Sequence, residues 1–260
     1  MKLSRAKLRS HVFGEYGIQW YLSYDKVEAR RNTSLAIISS HIVDEAITAF
    51  FAGCHDESQQ LIVLAKDWLE TAINEGEVPQ QLAPYTGTRY TPNYHEAQTY
   101  TLLGLCLWLT GEGFSQSAFQ TAGQFAFDYC SQHPADFWDH GILRYLLLAG
   151  KNAEIKHLFD NCPKLSPPST LKRIKSEEKI AYVLASYSLG DGTSRDVIHA
   201  AFRDFLRYKI PICAGANRQG FGLLHDIPLW MHVYRSVVPT EGLCAFDELA
   251  AVFEFVDIEQ

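Results

Sequence analysis

The chain has 260 residues, of which 47% are apolar and 20% charged, and its 30 Asp and Glu against 23 Lys and Arg leave a net charge of −7. This composition excludes wholesale disorder, and the length lets one domain bury most of its surface without disulfide or metal staples. The acidic balance argues against general nucleic-acid or anionic-membrane binding, both of which need excess cations.

The first ten residues are basic, but His11, Glu15 and Gln19 interrupt the next stretch, so no secretory signal is expected. From there the apolar spacing is helical almost everywhere. Leu35, Ile38, Ile42, Ala46 and Ala49 share one face of a helix running to Gly53, with Asn32, Thr33 or Ser34 as its cap. Asp56 is expected to cap the next helix, whose stripe is Leu61, Leu64, Ala65, Trp68, Leu69 and Ala72. A loop over 76–91 comes next, and Thr91-Pro92 opens a helix through Leu105 and Trp108. The apolar run Leu102 to Leu109 implies a fully buried position for that helix, and is too short to span a bilayer. Phe114, Ala118, Ala122, Phe125 and Tyr129 form the next stripe, and helices are expected from Pro134 to Leu148 and from Ala153 to Phe159. The proline-rich stretch 161–170 is the best linker candidate within a single domain of residues 1–260. Helices near 171–189, 193–208, 223–237 and 243–256 complete the chain, with an irregular loop over 214–222. The expected fold class is therefore all-α, of about ten helices.

A repeat lies in the helix ends. Trp108-Leu-Thr-Gly111, Leu147-Leu-Ala-Gly150 and Tyr187-Ser-Leu-Gly190 each close an apolar helix with glycine, 39 and 40 residues apart. Glycine suits the residue after a helix, where φ is often positive. Helix, glycine, polar turn and helix at such a period point to stacked antiparallel hairpins.

Few residue patterns carry chemistry. The six cysteines form no C-x-x-C pair and fit no zinc spacing, so they read as reduced structural thiols. Histidine stands beside an acid at His55-Asp56, His95-Glu96, Asp139-His140 and His225-Asp226. Asp136 and Asp139, three apart with His140 beside them, could hold a metal or do acid–base work, but acids in a first helical turn also simply complement its dipole. The glycine-rich stretch 215–222 lacks the Lys-Ser/Thr of a phosphate loop, and neither G-x-S-x-G nor H-E-x-x-H occurs. No catalytic residue, metal or cofactor is assigned.

Charge is more informative. From Ser40 to Glu96 nine acids face two sequence-local bases, Lys66 and Arg89, and the last twenty residues carry six acids and no base. Three tyrosines, Tyr85, Tyr90 and Tyr94, fall within the same segment, and tyrosine anchors interfaces at little entropic cost. Solvated helix faces account for such charge runs equally well; the alternative is a surface that meets a basic partner.

The helix–Gly–turn–helix units 47–53, 102–111 and 180–190 resemble those of the all-helical immunity proteins of bacterial polymorphic toxin systems. The resemblance covers the helical organisation from about Asn32 to Tyr208. It implies a cytoplasmic, non-enzymatic protein that binds and occludes a cognate, basic protein toxin, with no nucleic-acid or membrane partner. It carries over no individual residue. The acidic, tyrosine-bearing face is expected at Glu70, Glu75, Glu77, Tyr85, Tyr90 and Tyr94. A helical metal-dependent hydrolase using Asp136 and Asp139, and a helical-repeat scaffold for an endogenous partner, are the alternatives.

Overall fold

In the computed structural model, residues 3–15, 17–77, 94–132, 141–161, 176–215, 225–237 and 258–259 are described. Among them are twelve α-helices and a single pair of two-residue strands. Three short helices that the apolar pattern does not reveal open the chain: α1 (Arg5–Val12), α2 (Ile18–Ser23) and α3 (Lys26–Asn32).

The central helix is α4 (Leu35–Phe51). Ser34 caps it by accepting from the N–H of Ile37, one of the three residues expected there. Its predicted stripe is buried, and so are Val43, Asp44, Glu45, Ile47 and Thr48 on its other faces. The chain then enters α5 (His55–Asn74) directly. Gly53 takes a φ of +79° and the Cys54 N–H reaches back to the Ala49 carbonyl, a closure that leaves no residue between the turn and α5. Cys54 rather than Asp56 is therefore the cap, without a side-chain bond. Asp56 sits in the first turn, where its charge still complements the helix dipole.

Next come α6 (Tyr94–Leu109) and α7 (Ser115–Gln132). As expected, α6 is enclosed: Leu102, Leu103, Leu105, Cys106, Leu107 and Leu109 are all buried. It meets α7 at Gly104, where a Cβ would stand 2.6 Å from the Phe119 ring, so only glycine permits this approach. Phe114, expected on the α7 stripe, precedes the helix and is 75% exposed, while Ala118, Ala122 and Phe125 are buried as expected.

The chain continues through α8 (Gly141–Leu148), α9 (Asn152–Asn161), α10 (Ser176–Ser188), α11 (Arg195–Gly215) and α12 (Asp226–Val237). Residues 214 and 215, expected in a loop, end α11 instead. Of the expected linker over 161–170, Asn161 ends α9, and the rest, like the expected helix 243–256, lies outside the described residues.

The repeat is real at its turns. Gly111, Gly150 and Gly190 have φ of +74°, +68° and +75°, and the next N–H in each case bonds back to the carbonyl of Leu107, Leu146 or Ser186. Consecutive helices pack as antiparallel hairpins: α4 on α5, α6 on α7, α10 on α11. The stack does not stay open at its ends. Helix α12 returns onto α8, α10 and α11, α1 lies on α4, and Leu3–Ser4 pairs in parallel with Ile258–Glu259. No helix among the described residues is long and apolar enough to cross a membrane.

Candidate functional site

Eight of the nine acids of 40–96 fall into three groups once folded, with Asp67 shared between the first two. The first is held by cations from elsewhere in the sequence. Arg30 of α3 donates to both Glu75 and Glu77, the latter at 3.3 Å. Glu77 also accepts the N–H of Leu35 at 2.9 Å, satisfying a free donor at the start of α4. Lys26 meets Asp67 at 2.7 Å. Two of the six predicted partner-binding residues, Glu75 and Glu77, thus tie α3 and α4 to the end of α5.

The second group faces outward. Asp56, Gln59, Gln60, Val63, Asp67 and Glu70 are exposed along one stripe of α5. Lys66, the cation of that helix, turns aside to Glu112 at 2.5 Å. No ion pair engages Asp56, Glu57 or Glu70 among the described residues. Val63, 48% exposed, sits in the middle of the stripe. Beside it, a concavity of about 810 Å³ runs between α5 and α2, floored by Leu22, Val63 and Leu64. Its α2 wall is fixed by aromatic packing, Trp20 on Tyr24 at 4.5 Å and Tyr24 toward Trp68 of α5 at 6.3 Å. Of the predicted tyrosines, Tyr94 begins α6, while Tyr85 and Tyr90 lie outside the described residues.

The third group is buried. Asp44 accepts the backbone N–H of His225 at 2.9 Å, and His225 Nδ1 lies 2.8 Å from the same oxygen. Asp226 is gripped by Arg144 of α8 and by Lys209 of α11, the latter at 2.8 Å. Arg144 also lies near the rings of Tyr145 and Trp230, at 5.4 and 5.9 Å. Next to Asp44, Glu45 pairs with His11 of α1 at 3.1 Å. Burial alone would depress the His225 pKa, but the charge and hydrogen bond of Asp44, with the charge of Asp226, raise it. Burial pushes the Asp226 carboxyl upward; Arg144, His225 and Lys209 reverse this and hold it well below the usual carboxylate range. In sequence, the pair His225-Asp226 reads as one more histidine beside an acid. In the fold it is the entry to α12, and it also joins that helix to α4, α8 and α11. The partners lie 17, 82 and 181 residues away, so no local pattern could reveal them.

The remaining chemistry is quiet. Among the described residues no group of three or more His, Cys, Asp or Glu could hold a metal ion. Cys54, Cys106 and Cys130 are buried and form no disulfide, and burial lifts the pKa of the Cys54 and Cys106 thiols, which favours their protonated form. Asp136, Asp139 and His140 lie outside the described residues. Comparison with protein-family models, with curated proteins and with solved structures finds no match.

Proposed function

We propose that this chain is a non-catalytic binding protein that meets a basic protein partner through the outward stripe of α5. The observation that supports this is the sorting of acids. Glu75, Glu77 and Asp67 form ion pairs with Arg30 and Lys26, whereas Asp56, Glu57 and Glu70 form none among the described residues and lie around an exposed valine. Carboxylates left in solvent steer a cationic partner, and an apolar centre within a polar rim resembles the core of a contact patch. The helical resemblance supplies the partner class: a cytoplasmic immunity protein covering a toxin delivered by a neighbouring bacterium.

The product of the gene directly upstream is the partner to test first. Co-expression with this chain should abolish its toxicity, and the purified pair should associate faster at low salt. Reversing Asp56 and Glu70 together to lysine should slow association about tenfold or more and flatten its salt dependence. Unchanged rates in that variant would remove α5 from the interface, and a basic partner that neither binds nor is neutralised would end the immunity reading.

A further inference from the structure

The stripe on α5 has a spacing of its own. Asp56, Val63 and Glu70 are seven residues apart, hence about 10.5 Å apart along the helix, and drift by only about 20° per step around it. Carboxylate, exposed apolar side chain and carboxylate thus fall on nearly one line, beside the α2–α5 concavity. Asp67, on the same rim, already holds Lys26, so its charge is spent. Taking the basic-partner reading as its basis, we propose that this groove receives an amphipathic helix of the partner. An apolar residue would lie over Val63, with a Lys or Arg one heptad to either side, over Asp56 and Glu70.

Charge and geometry together select this occupant. Helices repeat their facing residues at seven, so a partner helix in either direction matches all three positions. An extended strand does not. At about 3.4 Å per residue, 10.5 Å is three residues, an odd number that turns the matching side chain to the opposite face. A polyamine could meet the carboxylates but offers nothing to the exposed Val63 or to the half-buried Leu22 and Leu64 beside it. An anionic membrane surface would be repelled.

A fluorescein-labelled 21-residue helical peptide, alanine-based with Lys, Leu and Lys at heptad spacing, probes this directly by anisotropy against the full chain. Its control has the same composition with the three residues spaced by five. The heptad peptide should bind at least tenfold more tightly than the control, and Val63→Asn, which leaves the charge unchanged, should abolish that preference. Equal binding of the two peptides, or a preference that survives Val63→Asn and Val63→Ser, overturns the helix proposal. The upstream gene product separates this from the broader reading. If its binding falls with Asp56→Lys/Glu70→Lys but ignores both Val63 variants, the helix docking fails and the acidic interface stands. If it ignores all of them, both fail.

Discussion

The acids on the outer stripe of α5 and those beneath α12 are the same chemical groups in opposite surroundings. Asp56 and Glu70 stand in water, where an ion pair is worth at most about 1 kcal/mol and an unpaired charge costs little. Asp44 and Asp226 lie in the core, where an unpaired charge would cost several kcal/mol and each is accordingly surrounded by donors. One set is left in solvent; the other is used up in closing the fold. The contrast teaches that a count of acids along a sequence measures neither binding surface nor stability until each one's nearest cation is known.

The buried side of this contrast breaks at Asp226. Asp226→Ala removes the carboxylate that Arg144 and Lys209 share, in a site where both are almost fully enclosed. We expect a loss of about 3–5 kcal/mol, read as a fall in the denaturant midpoint. A loss below about 1 kcal/mol would mean that the cluster is hydrated and α12 is held by its apolar face alone.

The same cluster should respond to alkali. The folded-state pKa of His225 is raised, so its contribution is fully present below the ordinary histidine pKa and disappears as pH rises through the folded value. Stability should therefore decline into the alkaline range, with a limiting slope of about 1.4 kcal/mol per pH unit for one proton, and His225→Gln should remove that slope. His232 provides the contrast. Burial against Trp108 and Phe119, with no acid, takes it down to about 4, so its titration affects acid stability alone. A wild-type alkaline slope that persists in His225→Gln would assign it to another group.

Legibility in the sequence depends on range. Helix period, the Ser34 cap and the glycine closures at 111, 150 and 190 are local, so α4 to α7 and the hairpin turns are legible. Helices α1 to α3 are not: at six to eight residues they are too short to show a period, and their packing on α4 and α5 is what holds them. Glu70 stands exposed on the outer face of α5. Glu75 and Glu77 carry ion pairs that a local charge count misses, because Arg30 lies 45 and 47 residues earlier. The Asp44–His225 contact lies beyond any such window.

Glu77 tests the intermediate case. Glu77→Ala removes both the acceptor for the Leu35 N–H and one arm of the Arg30 contact, while Glu75 keeps the other. The expected loss is about 1 kcal/mol, typical of a deleted helix cap, with no selective effect on association rate. A slowed association at unchanged stability would instead return Glu77 to the binding face.

The smallest effect belongs to Glu70, and it is the sharpest because two quantities must separate. The residue lies well inside α5, exposed and outside any ion pair among the described residues, so Glu70→Lys should shift stability by no more than about 0.5 kcal/mol. Lys66, four residues earlier, would then face a like charge, which on a helix surface costs only a few tenths of a kcal/mol, and its bond to Glu112 survives. The same substitution inverts one of the two exposed carboxylates flanking Val63, so association with the proposed basic partner should slow severalfold at low salt and recover as salt screens it. Stability falling as far as in Glu77→Ala would place Glu70 among the internally bound acids and dissolve the distinction between the two sets on α5.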